Sequence, residues 1–179
     1  QLHNVLSGIP NLLEKEVPEG KNDQDNFTVR SVGDIPAYSF QPLQHFELGE
    51  ALGLMDFEQA AAISGSRFVI LKGAFARLER ALAQFMLDTH TQKFGYEEVS
   101  VPLLVNNESL FGTGQLPKFA EDSFQTKSHW LIATGEIPVT NLVAKHTLDV
   151  SDLPLRFVTH TPCFRSEAGS AGKDTRGML

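Results

Sequence analysis

Apolar residues recur with the helical period over residues 74–93. Ala74, Leu78, Ala81, Leu82, Phe85 and Thr89 share one face, and Arg77, Arg80, Gln84 and Asp88 take the other. This predicts a long amphipathic helix that buries its apolar stripe, with Gly95 placed for a left-handed cap. Met86 and Leu87 fall outside the stripe and allow a second buried face. Shorter helices are expected at 42–51, opened by Pro42, at 57–63, capped by Asp56, and at 138–145, with Pro138 in the first turn. β-branched and apolar clusters predict strands at 67–71 (RFVIL), 96–104 (YEEVSVPLL), 129–133 (HWLIA) and 155–167 (LRFVTHTPCFRSE), and a short one at 27–32. Pro102 cannot donate a ladder hydrogen bond, so it marks an edge or an interface. Residues 7–26 read as a linker, and 106–119 as a loop punctuated by Gly and Pro.

Strands in neighbouring hairpins favour a mixed α/β (α+β) fold, with a mainly antiparallel sheet flanked by helices. The strand at 155–167 feeds a Gly-rich loop, 168–177, after which only Met178 and Leu179 remain. A returning hairpin partner is expected there. The sequence is therefore expected to be a fragment, incomplete at its C-terminus and cut before Gln1.

Composition narrows the chemistry. The 179 residues suffice for a core without staples, and 15 Lys+Arg against 22 Asp+Glu give a net charge of −7. That balance argues against a generally basic nucleic-acid surface, while leaving room for a local patch. One cysteine, Cys163, excludes an intramolecular disulfide and paired-Cys zinc sites; a small buried thiol is the better reading of it. The six histidines lack HExxH-like spacing, so no metal site is expected. No run of about 18 apolar residues suggests a membrane helix.

Arg165 and Glu167, two apart on an expected strand, leave the same face. Arginine can clamp a phosphate with two parallel hydrogen bonds, and a carboxylate can accept from an amino group such as adenine's. Lys173 and Arg176 follow in a loop that could fold over a polyphosphate. An ordinary surface ion pair with a solvated loop explains the same spacing, and spacing alone favours it. Residues 169–175 (GSAGKDT) fail the Walker pattern, since Asp174 follows the lysine where Ser or Thr belongs. At 134–141 (TGEIPVTN), Glu136 could accept an ammonium group with Thr134 as hydroxyl partner. Alternatively, Glu136 merely complements a helix dipole.

Residues 161–179 (TPCFRSEAGSAGKDTRGML) resemble motif 2 of the seryl-tRNA synthetase family, class II aminoacyl-tRNA synthetases, here of bacterial type. KFGYEEVSVPLL (93–104) resembles motif 1, FGTGQLPKF (111–119) the loop after it, and LIATGEIPVTN (131–141) the serine-recognition loop. SGSRFVILKGAFARLERAL (64–82) resembles the segment before motif 1, and VPEGKNDQDN (17–26) the passage from a coiled-coil tRNA-binding arm. The resemblance implies the class II synthetase fold, with 1–26 as lead-in from the arm and 27–179 as the front half of the catalytic domain.

The resemblance also implies roles. Arg165 would be catalytic, contacting the α-phosphate of ATP and the reacting carboxylate. Ser166 and Glu167 would line the ATP site, Lys173 and Arg176 would belong to the motif 2 loop, and Thr134, Gly135 and Glu136 would bind L-serine. Pro102 would sit at a homodimer interface. ATP with Mg²⁺, L-serine and tRNA(Ser) would be the partners of a cytoplasmic serine–tRNA ligase, with no protein-bound metal and no membrane. Family members commonly carry Ala or Ser where Gly135 stands; a looser glycine would cost about 0.5–1 kcal/mol and weaken serine affinity. Motif 3 and the return strand would lie beyond Leu179, so these residues alone are expected to be inactive. Two other readings are a non-catalytic synthetase-derived dimerisation or binding protein, and a synthetase-like enzyme that aminoacylates a carrier protein.

Overall fold

The computed structural model describes residues 2–166 and 176. The chain divides into two compact units, 1–43 and 44–179. In the first, helix α1 (Leu2–Leu6) precedes an extended stretch broken by one 3-10 turn at Asp23–Asp25. Asn22 and Asp25 form a capping box on that turn. The strand expected at 27–32 does not form: those residues have no ladder partner, and Phe27 and Val29 are largely exposed. β-propensity expresses itself only where a neighbouring strand supplies hydrogen bonds and packing.

The second unit carries α2 (His45–Ala51), β1 (Met55–Asp56), α3 (Phe57–Ser64), β2 (Ile70–Leu71) and α4 (Gly73–Phe94). It continues with β3 (Glu97–Glu98), β4 (Leu104–Val105), α5 (Asn107–Gly112), β5 (Trp130–Leu131), α6 (Glu136–Asn141) and β6 (Phe157–Val158). The expected helices at 57–63 and 74–93 are present within a residue of their bounds. Asp56 caps α3 by accepting from the Gln59 N–H across 2.9 Å. Gly95 ends α4 in the left-handed conformation, at φ 66° and ψ 32°.

The strands are shorter than expected. Arg67 has φ 75°, which leaves only Ile70 and Leu71 of RFVIL to pair with Asp56 and Met55 in an antiparallel ladder. Pro102 divides the next expected strand into β3 and β4, because its nitrogen carries no donor. β4 pairs antiparallel with β5, Leu104 opposite Leu131 and Val105 opposite Trp130. Two of the three ladders among the described residues are thus antiparallel, as the mainly antiparallel expectation has it, and the third is parallel: β3 runs alongside β6, Glu97 opposite Phe157. The segment expected as one strand at 155–167 contributes only Phe157 and Val158 to a strand, among its described residues.

Residues 106–119 are not simply a loop, since Asn106 caps α5 by accepting from the Ser109 N–H across 2.8 Å. The apolar stripe of α4 also differs from expectation. Leu78, Leu82, Phe85 and Met86 are about half exposed or more, and no residue of α4 is fully buried. The periodicity forecast the helix correctly, but the core lies elsewhere. Val105, Leu110, Trp130, Ile132, Ala133 and Ile137 form it, with Leu116 and Ala120 packed against them. Leu110, Ile132 and Ile137 are fully buried, so the core joins α5, β5 and α6.

Candidate functional site

The core hands the chain directly to the candidate site. Ile132 and Ala133 are buried at the end of β5, and Thr134, Gly135 and Glu136 follow as the chain turns into α6. Ile137 and Pro138 anchor that helix in the core. Asn141, one turn on, donates from Nδ2 to the Ser109 carbonyl across 3.1 Å and ties α6 to α5. The turn is closed locally: the Glu136 N–H donates to Thr134 Oγ1 (3.4 Å), and the Ile137 N–H donates to the Thr134 carbonyl (3.3 Å). Anchoring of Ile137 therefore leaves Glu136 exposed in the first turn of α6, its carboxylate where the helix dipole favours negative charge. Pro138 lies inside the helix as expected, although the helix spans Glu136–Asn141 and not 138–145.

Residues 164–166 lie against this turn. The Phe164 N–H donates to the Ile132 carbonyl across 2.8 Å, and Arg165 Nε donates to the Ala133 carbonyl across 3.0 Å. Arg165 is thereby brought beside the residue that precedes Thr134, from 32 positions away in sequence. The bond to Ala133 is made by Nε, so the planar fork of the two Nη nitrogens takes no part in that contact. Ser166 is held on the other side: its N–H donates to the Asp122 carbonyl (3.0 Å) and its Oγ to the Glu121 carbonyl (2.9 Å). Those two carbonyls escaped the sequence reading. Their only signal was the position of 121–122 just after FGTGQLPKF, because carbonyl acceptors have no residue signature.

Gly135 is not slack. Its backbone lies in the ordinary right-handed region, φ −62° and ψ −19°, and a Cβ there would meet the Thr159 Cγ2 at 2.9 Å. Close approach, not conformational freedom, is what glycine supplies at this position. Cys163 also departs from expectation, being exposed rather than buried.

The remaining expected residues are more scattered. Arg176 is held by α2: its Nη1 lies 3.3 Å from Glu50 Oε2, its guanidinium 5.3 Å from the Phe46 ring centre, and its carbonyl 3.2 Å from His45 Nε2. Pro102 is exposed between β3 and β4. Glu167 and Lys173 lie outside the described residues.

Elsewhere, Lys72 Nζ lies 2.5 Å from Asp56 Oδ2. The Lys72 hydrogen bond, then the Gln59 N–H, hold the Asp56 carboxyl below its usual range. This pair joins β1 to the residue before α4, shares no residue with the Arg165 contacts, and serves the fold. Among the described residues, no group of three or more His, Cys, Asp or Glu could hold a metal ion, and no helix is long and apolar enough to cross a membrane.

No protein-family profile matches the chain. Its relatives include the serine–tRNA ligases of Brucella canis, Brucella suis and Brucella abortus, each 60% identical over the whole of this chain. The chain spans 42% of the length of each. Among solved structures, seryl-tRNA synthetase from Pyrococcus horikoshii complexed with ATP superposes with a TM-score of 0.88 at 34% identity, over 98% of this chain and 44% of that one. Cytoplasmic serine–tRNA ligase from Naegleria fowleri in complex with AMP superposes with a TM-score of 0.84 at 29% identity, over 98% of this chain and 42% of that one.

Proposed function

We propose that this chain, homologous along its whole length to seryl-tRNA synthetases and sharing their fold, forms the front half of a catalytic domain that activates L-serine with ATP and transfers it to tRNA(Ser). Residues 1–26 lead in from a tRNA-binding arm, and 27–179 belong to the catalytic domain. The observation that supports the reading is the bond from Arg165 to the Ala133 carbonyl, which sets an arginine beside a turn that exposes a carboxylate.

In this reading Glu136 accepts the ammonium group of serine and Thr134 offers a hydroxyl. Arg165 forks onto the α-phosphate of ATP, which enters as its Mg²⁺ complex. The serine carboxylate attacks the α-phosphorus, the bond to the β-phosphate oxygen breaks, and pyrophosphate leaves seryl-adenylate behind. Such a transfer needs positioning and charge stabilisation more than covalent help from the protein. By resemblance to motif 2, Ser166 and Glu167 are assigned to the nucleotide site, and Lys173 and Arg176 to the motif 2 loop. The seryl group then passes to the terminal adenosine of the tRNA. The enzyme works as a cytoplasmic homodimer, with Pro102 at the interface.

The test is serine-dependent exchange of pyrophosphate into ATP by the full-length protein, followed by charging of tRNA(Ser). Exchange with serine and not with other amino acids is expected. Binding of ATP and serine without exchange would instead favour a non-catalytic descendant. Exchange followed by transfer to a carrier protein and not to tRNA would favour the carrier-charging enzyme.

A further inference from the structure

Gly135 has no backbone reason to be glycine. Its φ of −62° and ψ of −19° suit any residue, and it immediately precedes α6. Alanine there would lower the entropy lost on ordering, although as the N-cap of α6 the position gains nothing in helix start from alanine. Space is the opposing constraint: a methyl on Gly135 would lie 2.9 Å from the Thr159 Cγ2 and 3.3 Å from the Thr161 Cγ2. Carbon atoms rest at about 3.5–4.0 Å, so something would have to move. Threonine is β-branched and restricted at χ1, so its methyl cannot simply swing aside.

We propose that Thr159 and Thr161 are positioning residues for the amino-acid site, their methyl groups setting where the turn 134–136 rests. This inference deepens the serine-activation reading and rests on it. The two residues flanking Gly135 are Thr134 and Glu136, so a displacement of the turn moves both groups assigned to serine. The chain that carries the two threonines continues to Phe164 and Arg165, which return to the same turn through the Ile132 and Ala133 carbonyls. The methyl contact and these two hydrogen bonds together hold the amino-acid turn in register with the phosphate-binding arginine.

The experiment measures the Michaelis constants for serine and for ATP in pyrophosphate exchange by the full-length protein. It compares wild type with Gly135→Ala, with Gly135→Ala/Thr159→Ser, which removes only the methyl, and with Gly135→Ala/Thr159→Val, which keeps the methyl and replaces the hydroxyl with a second one. Gly135→Ala should raise the serine constant about tenfold, the scale of a sub-ångström misplacement, with the ATP constant little changed. Thr159→Ser should restore most of the loss and Thr159→Val none. A normal serine constant in Gly135→Ala, or a Thr159→Ser double variant no better than the single one, would overturn the inference while leaving the activity standing. Equal rises in both constants would overturn it too, since they would mark a general packing defect. Absence of serine-dependent exchange in the wild type would remove the activity and this inference together. Should Gly135→Ala fail to fold, recovery of active protein in the Thr159→Ser double variant supports the inference, and continued failure refutes it.

Discussion

Arg165 Nε donates to the carbonyl of Ala133 across 3.0 Å, and the next residue after Ala133 begins the turn that exposes Glu136. Two groups of opposite charge are thus placed from one short stretch of buried backbone. The arginine is aimed by a carbonyl and the carboxylate by a helix start.

In the proposed reaction, replacing Arg165 with alanine removes a contact to charge that develops at phosphorus. The loss expected for one such electrostatic contact is about 100–1000-fold in the rate of adenylate formation. Arg165→Lys should recover only part of it, because an ammonium cannot donate to Ala133 from Nε and fork onto phosphate together. Single-turnover adenylate formation measures both; a wild-type rate in Arg165→Ala would remove the residue from the reaction.

Glu136→Gln keeps the shape of the side chain and removes its charge. On the proposed assignment, the serine Michaelis constant should rise while the ATP constant holds, because the substrate ammonium would lose its ionic acceptor. The dipole reading predicts something different: a small loss of thermal stability and unchanged serine binding. Kinetics and a melting curve on the same variant separate the two.

The parts of the fold that were legible in the sequence are those fixed by neighbours in the chain. The Asp56 cap, the period of α4 and the Gly95 stop act within a few residues, and each is found where the pattern puts it. Strands were overread because pairing is decided by distant partners. LRFVTHTPCFRSE has the composition of a long strand, yet only Phe157 and Val158 find a ladder partner among its described residues. Helix α5 was hidden by the Gly and Pro that follow it, although Asn106 with Glu108 in the first turn was a readable start. For the site, residue types were readable and adjacency was not. Nothing in the local pattern says that position 165 meets position 133, or that a Cβ at position 135 would meet the methyls at positions 159 and 161.

Asp56 gives a pH dependence of defined sign. Its carboxyl titrates below its usual range because Lys72 and the Gln59 N–H favour the charged form. A group depressed in the folded state contributes stability that is complete above its unfolded pKa of about 3.9. That contribution fades as pH falls through the lower, folded value. Melting temperatures of wild type and Lys72→Met should therefore differ at pH 6 and converge progressively below pH 4. Asp56→Asn should resemble Lys72→Met, since asparagine still caps α3, whereas Asp56→Ala should be less stable than either. A gap that widens on acidification would contradict the sign.

Leu110 tests whether the core beneath the turn supports the site or merely the fold. It is fully buried in α5, in the same cluster as Ile132, Ala133 and Ile137, which flank residues 134–136 on both sides. Truncation of a buried leucine to alanine removes its transfer free energy and leaves a cavity, at a cost of about 2–5 kcal/mol in stability. Leu110→Met keeps most of the volume and should cost less than about 1.5 kcal/mol. The site is attached to this core through backbone, by Ala133 ahead of the turn and Ile137 after it. Relaxation of the cluster into the cavity should therefore shift Thr134 and Glu136 together. Leu110→Ala should raise the serine Michaelis constant at temperatures well below its melting point, and Leu110→Met should leave it near wild type. Denaturant unfolding gives the stability change, and exchange kinetics on the same preparations give the site effect. A destabilised Leu110→Ala protein with wild-type serine kinetics would show that the turn holds its place without this part of the core.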